Sequence, residues 1–265
     1  MSYLEKLFGL ENKVAVVTGG NGQLGTEYVK ALLGAGARVA VFDISEDLNE
    51  QLKSLEGLKY CQVDITKPES LKSGLAAVEK DLGVPEILIN NAALDNPPST
   101  TSESTQSFEG YPLEIWEQVI KVNLTGTFLA NQIIGSRMAE NKKGSIINIC
   151  STYGLVSPDQ RVYESMPTKF VKPISYSATK SAILNLTRYL ATYWAKQGVR
   201  VNTLSPGGVF NNQAEGFVKA YSDRTPLGRL ADKEELNGAV IFLASDASSY
   251  MTGANLVIDG GWTAW

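Results

Sequence analysis

A tyrosine and a lysine four positions apart, Tyr176 and Lys180 in the segment YSATK, form a pair suited to proton transfer. The segment opens a helical pattern over residues 175–197, and side chains at i and i+4 share one face of a helix. A nearby ammonium favours the phenolate, so we expect Lys180 to lower the pKa of Tyr176. Such a tyrosine takes a proton from an alcohol as hydride leaves, or gives one to a carbonyl. Alone, the pair is also compatible with an exposed contact on a helix.

Two more polar residues accompany this pair. Ser151 follows the apolar run Ser145–Ile149 and is suited to hold a substrate oxygen. Asn123 lies inside a helical pattern over residues 113–138, where its side chain could bind a water or a backbone carbonyl. The chain has no histidine, which excludes histidine triads and histidine-ligated metals and leaves proton transfer to other side chains. We predict no metal site.

A glycine-rich segment, TGGNGQLG, runs from Thr18 to Gly25 directly after an apolar run. Glycines between a strand and a helix let the backbone approach a diphosphate, and the helix N-terminus supplies unpaired N–H groups. Two spacings fit: G-x-G-x-x-G from Gly20, and G-x-x-x-G-x-G from Gly19 with Gln23 replacing the middle glycine. The segment predicts a dinucleotide site, with a tight structural turn as the alternative.

Acidic and small residues at later strand ends support a dinucleotide. Asp43 ends the next predicted strand, about 20 residues beyond the glycines, as expected of a carboxylate that binds the ribose hydroxyls. Because a carboxylate repels a 2′-phosphate, the sequence favours NAD over NADP. Asp64 follows another apolar run and is predicted to face the adenine. Asn91 and Ala92 follow a fourth run, where small residues let the backbone pass close to a ribose.

Apolar runs alternate with helical patterns along the chain, which predicts the elements that position these residues. Most runs are continuous, as in strands covered on both faces. The fold class is therefore α/β, a Rossmann-type doubly wound parallel sheet flanked by helices, with residues 1–265 as a single domain. The predicted strands are Val14–Val17, Val39–Phe42, Tyr60–Val63, Ile87–Ile89, Ser145–Ile149, Val199–Leu204 and Leu256–Ile258. The predicted helices are 24–35, 46–55, 68–82, 113–138, 175–197 and 232–245.

Three irregular stretches, 94–110, 157–173 and 206–226, begin at or just after the carboxyl ends of predicted strands. Ligands of open α/β sheets bind at that edge. Long loops in compact domains are usually functional or disordered. For 94–110, a solvated surface loop is an equal alternative.

Composition sets the broad class. The chain has 265 residues, 43% of them hydrophobic, and a net charge of −4 without a basic block, which argues against nucleic acid or an anionic membrane as partner. Two distant cysteines, Cys61 and Cys150, suggest neither a disulfide framework nor a zinc site. No signal peptide or membrane span is evident. We expect a cytoplasmic protein that acts on a small molecule.

These residues together resemble the classical short-chain dehydrogenase/reductase family, from about Leu10 to the C-terminus. The motifs are TGGNGQLG, Asp43, Asp64, NNAA, VN, YSATK, Pro206-Gly207-Gly208 and Asp259-Gly260-Gly261. The resemblance implies a catalytic tetrad of Asn123, Ser151, Tyr176 and Lys180. Tyr176 would be the acid/base, Ser151 would position the substrate oxygen, and Lys180 would bind the nicotinamide ribose. Asn123 would support a proton-relay water.

The resemblance also implies a homotetramer or homodimer and a set of cofactor contacts. These contacts are Gly19, Asn21, Gln23, Leu24, Asp43, Asp64, Ile65, Asn91, Ala92, Tyr176, Lys180, Pro206, Gly207 and Val209, with Thr203 near the nicotinamide. Gln23 departs from the family's middle glycine. We expect its N–H to serve the diphosphate while its side chain points outward.

A second departure is the gap between Ser151 and Tyr176, about twice that usual in the family. The extra residues form an insertion at about 157–173, predicted to cover the active site. Its Arg161, or a lysine such as Lys169 or Lys172, is hypothesised to contact an anionic or polyhydroxylated substrate. The predicted substrate contacts are Ser151, Arg161, Tyr163 and Tyr176. An exposed or oligomer-facing loop is the alternative.

The predicted function is an NAD-dependent oxidoreductase that interconverts a secondary alcohol and a ketone. The polar insertion favours a sugar, polyol or sugar derivative as substrate. A nucleotide-sugar epimerase or dehydratase is a second hypothesis, although such relatives usually carry an added C-terminal domain. A non-catalytic dinucleotide sensor on the same fold is a third.

Overall fold

The computed structural model describes residues 2–95, 107–164 and 170–265, so most of stretch 94–110 and part of 157–173, including Lys169, lie outside the described residues. Within these ranges seven strands form one parallel sheet in the order β3-β2-β1-β4-β5-β6-β7. Each predicted strand is confirmed. The strands are β1 Val14–Thr18, β2 Arg38–Asp43, β3 Leu58–Gln62, β4 Ile87–Asn90, β5 Gly144–Ile149, β6 Val199–Pro206 and β7 Asn255–Ile258.

Helices cover both faces of this sheet. None in the described ranges is long and apolar enough to cross a membrane. The helices are α1 Tyr3–Phe8, α2 Gln23–Gly34, α3 Pro68–Asp81, α4 Leu113–Val119, α5 Thr127–Ala130, α6 Ser136–Glu140, α7 Ile174–Trp194, α8 Glu215–Ser222 and α9 Asn237–Ala244.

Alternate residues of each central strand pack on opposite faces. Val17 and Ile89 join a core cluster with α2 and α9. Val16 and Leu88 join a second cluster with α3, the helices of 113–140 and α7. Because both faces are buried, these strands need apolar residues at consecutive positions, which explains the continuous runs in the sequence.

The strand order reverses between β1 and β4, which pair in parallel at the middle of the sheet. From β1 the chain continues outward to β2 and β3, and then returns to β4 on the other side. Loops leave the carboxyl ends of β1 and β4 in opposite directions and open a crevice there. This switch point gives the glycine-rich segment and the loop after β4 a common cleft.

The predicted helix at 46–55 is wrong, because this segment forms turns. Asn49 donates from Nδ2 to the Asn21 carbonyl and the Thr26 hydroxyl, and its Oδ1 accepts the N–H of Gln51. Asparagine side chains that bond nearby backbone groups compete with helical hydrogen bonds. The segment therefore braces the glycine-rich loop.

The predicted helix 113–138 is present as a continuous helical stretch from 113 to 140, but two of its parts are wider than an α-helix. Ile120–Gly126 and Asn131–Gly135 are π-helical. Such segments often accompany functional sites, and Asn123 lies in the first. Helix α8 lies inside the predicted irregular stretch 206–226, and its amphipathic pattern was not identified from the sequence.

Candidate active site

A cavity of about 1000 Å³ opens at the carboxyl ends of the strands. Its size is at the upper end of the range for small-molecule and cofactor sites. Most of the residues predicted to bind cofactor or substrate line it. They are Gly19, Asn21, Gln23, Leu24, Asp43, Asp64, Ile65, Asn91, Ala92, Ser151, Tyr176, Lys180, Pro206, Gly207 and Val209.

Backbone geometry distinguishes the two glycine spacings. Gly19 has φ +63°, and a Cβ there would lie 2.7 Å from the Cα of Ala92. A Cβ on Gly25 would lie 2.1 Å from the carbonyl oxygen of Gly19, whereas a Cβ on Gly22 would meet no atom closer than 3.3 Å. A Cβ on Gly20 would also be tight, at 2.7 Å from Cγ1 of Val41, but of these glycines Gly19 alone has a positive φ. Because Gly22 has room for a side chain, the geometry favours the spacing from Gly19, whose middle position is Gln23.

Helix α2 begins at Gln23 with Gly22 as its N-cap. The first N–H groups of a helix have no intrahelical acceptor, so those of Gln23 and Leu24 are available at the cavity edge. The Gln23 side chain forms a hydrogen bond at the exposed edge of the cavity. Its Nε2 donates to the carbonyl oxygen of Phe210 at 2.7 Å, which joins the glycine-rich loop to the loop after β6.

Asp43 holds the glycine-rich loop at the other side of the cavity. One carboxylate oxygen accepts the N–H of Asn21 at 3.0 Å, and the other accepts the N–H and hydroxyl of Ser45. The side chain of Asn21 is in turn bonded to Asp47 and Asn49. Asp43 therefore presents oriented acceptor oxygens to the cavity from the end of β2.

Asp64 lines the same end of the cavity. Its Oδ1 accepts the N–H and hydroxyl of Thr66, and its Oδ2 lies 3.1 Å from the ammonium of Lys67. Burial raises the pKa of Asp64, but these hydrogen bonds outweigh burial and hold the pKa below its usual value. The carboxylate stays charged and terminates β3 with fixed geometry.

Asn91 ties the loop after β4 to the glycine-rich loop. Its Nδ2 donates to the carbonyls of Thr18 and Gly19 at 3.2 and 3.0 Å. The Thr18 hydroxyl accepts the N–H groups of Asn91 and Ala92. The small side chain of Ala92 therefore packs directly against Gly19, and the two loops form a single wall.

Asn123 lies behind the cavity and does not line it. Its side chain accepts the N–H of Leu94 at 2.7 Å, donates to the Leu94 carbonyl at 2.8 Å and reaches the Thr179 hydroxyl at 3.3 Å. Asn123 thus holds the loop after β4 against α7. Both its amide oxygen and its amide nitrogen are engaged by protein groups.

Ser151, Tyr176 and Lys180 meet at the inner end of the cavity. The Ser151 and Tyr176 side chains line the cavity next to each other. The Lys180 ammonium lies 5.7 Å from the centre of the Tyr176 ring and donates to the Ile149 carbonyl at 2.8 Å. Helix α7 provides the tyrosine and the lysine, and the end of β5 provides the serine and the carbonyl. The four-residue spacing on α7 thus makes Tyr176 and Lys180 neighbours, as predicted.

The acid/base properties of this group differ from the sequence-based expectation. Burial, with an added effect of the Asp95 charge, raises the pKa of Tyr176 above its usual value, and the hydrogen bond from Ser151 only partly opposes the rise. Burial lowers the pKa of Lys180 to about 8. The prediction of a lowered tyrosine pKa is therefore not met in this structure, because desolvation disfavours both charged forms.

Cys150 and Thr203 are structural neighbours of the site. Cys150 is buried, its thiol lies 3.1 Å from the Lys180 carbonyl, and burial raises its pKa. A buried thiol with a raised pKa is unreactive, so Cys150 has a structural role. Thr203 donates to the Thr187 hydroxyl and does not line the cavity, whereas Pro206 and Gly207 do.

Two predicted substrate residues of the insertion lie away from the cavity. Arg161 is exposed and forms a two-pronged ion pair with Asp159, which also binds Arg224. Tyr163 is buried among aromatic rings, and its hydroxyl donates to Tyr153. Neither side chain lines the cavity, although Tyr176 packs against the aromatic cluster that contains Tyr163. The described part of the insertion shares this cluster with Tyr221 of α8 and with Trp262.

Sequence reasoning missed Asp95 and did not separate Lys172 from the other basic residues of the insertion. Asp95 lines the cavity and forms an ion pair with Lys172. The Lys172 ammonium lies 4.6 Å from the centre of the Tyr176 ring. The only signal for Asp95 was its place directly after NNAAL, at the carboxyl end of β4. Nothing in the sequence paired it with a residue 77 positions later.

This chain is similar to a protein-family model, to characterised proteins and to solved structures. A family model described as enoyl-(acyl carrier protein) reductase matches residues 21–263. An NAD-dependent glycerol dehydrogenase from Listeria innocua is 32% identical over 269 residues, with 98% of this chain and 97% of the relative covered. Gluconate 5-dehydrogenase from Gluconobacter oxydans is 32% identical over 268 residues, with 97% of each covered.

The similarity extends to other substrates and to solved structures. A 3-alpha-(or 20-beta)-hydroxysteroid dehydrogenase from Mycobacterium bovis is 34% identical over 257 residues, with 96% of this chain and 91% of the relative covered. A short chain dehydrogenase from Leptospira borgpetersenii, solved with bound NAD+, superimposes with a TM-score of 0.87 at 36% identity. The match covers 99% of this chain and 96% of that one.

Proposed function

Because the chain belongs to the short-chain dehydrogenase/reductase family, we propose that it uses NAD to interconvert a secondary alcohol and a ketone. The family and the relatives make the protein an NAD(P)-dependent oxidoreductase acting on CH–OH groups. The observation that carries the finer proposal is the meeting of Ser151, Tyr176 and Lys180 at the inner end of a cavity. The outer end of that cavity carries Asp43 and the start of α2.

The residues of the cavity fit a dinucleotide. Gly19 and Gly25 leave no room for side chains, so the backbone at the start of α2 is open to a diphosphate. Asp43 offers acceptor oxygens to ribose hydroxyls. Among the described residues that line the cavity, the basic side chain is Lys180, at the opposite end from Asp43. The adenosine end thus offers a carboxylate and no cation for a 2′-phosphate, which supports NAD over NADP.

The chemistry assigned to this chain's residues is proton transfer and orientation. When bound, the nicotinamide supplies the acceptor for the hydride that leaves the alcohol carbon. Tyr176 Oη takes the hydroxyl proton during oxidation and returns it during reduction. The Ser151 hydroxyl holds the substrate oxygen beside Tyr176, and the Lys180 cation stabilises negative charge on the tyrosine oxygen.

The substrate class is a small polyhydroxylated molecule, a sugar, polyol or sugar derivative. Polar groups, Ser151, Tyr176 and Asp95, surround the inner end of the cavity. Similarity to a glycerol and a gluconate dehydrogenase supports this class. A sterol, as in the steroid-active relative, would bond Ser151 and Tyr176 through its reacting oxygen but would offer no second hydroxyl to Asp95.

NADH formation with a panel of polyols, sugars and hydroxy acids tests this proposal, with Tyr176→Phe as the matched variant. We expect turnover with at least one polyol, a higher kcat/KM with NAD than with NADP, and a fall in kcat of roughly 100- to 10,000-fold in Tyr176→Phe. NAD binding should persist in the variant. Tight NAD binding without turnover of any alcohol or ketone would instead favour a dinucleotide sensor.

A further inference from the structure

An acidic side chain outside the tetrad lies beside the candidate reaction site. Asp95 follows β4 by five residues and lines the cavity together with Ser151 and Tyr176. Its carboxylate is bonded to the ammonium of Lys172, a residue of the insertion. That ammonium lies 4.6 Å from the centre of the Tyr176 ring and 5.8 Å from that of Tyr153. The pair thus joins the insertion to the wall of the cavity.

Another residue of the insertion, Gln160, holds the backbone of Lys172 in place. Gln160 accepts the Lys172 N–H at 2.9 Å and donates to the Lys172 carbonyl at 3.3 Å. The Lys172 side chain is only 10% exposed, whereas that of Asp95 is 53% exposed. A nearly buried ammonium needs a carboxylate and ring faces for compensation, and it has both here. Asp95 is therefore the exposed member of the pair, and Lys172 is its anchor.

The charges at the inner end of the cavity limit what can bind there. The ionised carboxylate of Asp95 can accept hydrogen bonds but cannot donate them. Lys172 does not line the cavity and is bonded to Asp95, and Lys180 lies beside Tyr176 with one of its three N–H donors on the Ile149 carbonyl. A carboxylate or phosphate of a substrate that approached Asp95 would meet a negative charge, because the lining cation among the described residues, Lys180, belongs to the Tyr176 side of the site. A hydroxyl group, which donates a hydrogen bond, matches Asp95.

We propose that Asp95 accepts a hydrogen bond from a second hydroxyl of the substrate, next to the reacting carbon, and so selects neutral vicinal polyols over sugar acids. Lys172 acts as a positioning residue that holds Asp95 in place, and Gln160 holds Lys172. The insertion between Ser151 and Tyr176 thus supplies Lys172, which anchors the Asp95 carboxylate that determines specificity. This inference rests on the proposed function and narrows its substrate class.

Matched substrate pairs test it most sharply. We would compare kcat/KM for glycerol and glycerate, ribitol and ribonate, and glucitol and gluconate, in the wild type, Asp95→Asn, Asp95→Ala and Lys172→Met. An exposed ion pair between Lys219 of α8 and Asp223, which directly follows that helix, supplies the controls Lys219→Met and Asp223→Asn. The wild type is expected to prefer the polyol of each turned-over pair.

Asp95→Ala should lower kcat/KM for the polyol roughly 10- to 100-fold, the loss expected from one hydrogen bond to a charged group, mainly through KM. Asp95→Asn should shift the ratio of acid to polyol in favour of the acid, because the negative charge is gone. Lys172→Met should raise KM for the polyol while KM for NAD stays constant, which a general loss of structure would not produce. The α8 controls should match the wild type.

Two outcomes overturn this inference alone. One is polyol turnover that is unchanged within about twofold in Asp95→Ala. The other is a wild type that prefers the acid in each pair and keeps that ratio in Asp95→Asn. Failure of the wild type to oxidise any member of the panel would contradict the proposed function itself, and with it this inference. The two failures are thus distinguishable by the wild-type measurement.

Discussion

At the residue scale, Lys180 is a buried cation held by a neutral group. Its ammonium donates to the Ile149 carbonyl, and its side chain sits between β5 and α7 with 5% of its surface exposed. Burial lowers its pKa from the ordinary 10.5 to about 8, with only partial opposition from the neighbouring Cys150 and Asp95. The residue remains charged at neutral pH but close to losing its proton, which gives it a measurable signature.

We predict that Lys180 makes the free energy of unfolding rise with pH between about 8 and 10.5. In that window the unfolded chain holds a proton that the folded chain has released, so raising the pH favours the folded state. The full effect is on the order of 3 kcal/mol. The measurement is the difference in urea-unfolding free energy between wild type and Lys180→Met from pH 7 to 10.5.

The wild type should gain stability relative to Lys180→Met across this range. The exposed Lys196 supplies the control, since Lys196→Met should follow the wild type at every pH. Parallel curves for wild type and Lys180→Met would show that the pKa of Lys180 is not lowered in the folded protein.

The sequence predicted most of the residues that line the cavity, but not all of their interactions. The spacing from Tyr176 to Lys180 specifies neighbours on α7, and Asp43 follows from its distance to the glycines. The raised tyrosine pKa depends on burial by residues distant in sequence. The pairing of Asp95 with Lys172 depends on how the insertion folds back. Neither the raised tyrosine pKa nor this ion pair can be recognised from a short stretch of sequence.

At the element scale, Gln23 links the glycine-rich loop to the loop after β6. Its Nε2 bonds the Phe210 carbonyl at 2.7 Å, and Phe210 belongs to the loop between β6 and α8. Gln23, Val209 and Asn211 all line the cavity, so this contact lies at its edge. The residue that departs from the family's middle glycine therefore links the two loops that border the cavity.

We predict that Gln23→Ala speeds release of NADH severalfold, because removing a hydrogen bond worth about 1 kcal/mol frees the loop after β6. Stopped-flow displacement of NADH fluorescence measures the dissociation rate constant. Gln197→Ala, in an exposed turn after α7, is the control and should match the wild type. An unchanged or slower release from Gln23→Ala would contradict a restraining role.

The elements themselves were predicted to different degrees. Continuous apolar runs identified every strand, because strands buried on both faces leave little choice of residue. The failure at 46–55 has a clear cause, since Asn49 bonds Asn21 and Thr26 in place of forming a helix. The π-helical turns around Asn123 were not predictable, because they change hydrogen bonding without changing the apolar period.

At the scale of the whole molecule, apolar side chains remain exposed on neighbouring helices. Tyr189 and Tyr193 of α7 are each 62% exposed, and their rings stack at 5.8 Å. Leu113 of α4 and Phe128 of α5 are also exposed, on helices that share a sheet face with α7. Exposed apolar surface of this kind is typical of protein–protein contacts.

We predict that the protein is a homodimer or homotetramer through this helical face, as the family resemblance implies. Light scattering with size-exclusion chromatography measures the assembly, and the double substitution Tyr189→Glu with Tyr193→Glu should dissociate it by placing charges in an apolar contact. Tyr3→Glu, on the exposed face of α1, should leave the mass unchanged. A monomeric wild type would refute the prediction.

The central claim is that this cavity removes hydrogen from a secondary alcohol carbon with Tyr176 as the base. Deuterium transfer tests it most directly, with a polyol labelled at the carbon that is oxidised and unlabelled NAD. We expect that the wild type places one deuterium on the nicotinamide ring for each ketone formed, and that Tyr176→Phe binds NAD but transfers almost none. NADH without deuterium, or equal transfer by Tyr176→Phe, would contradict it.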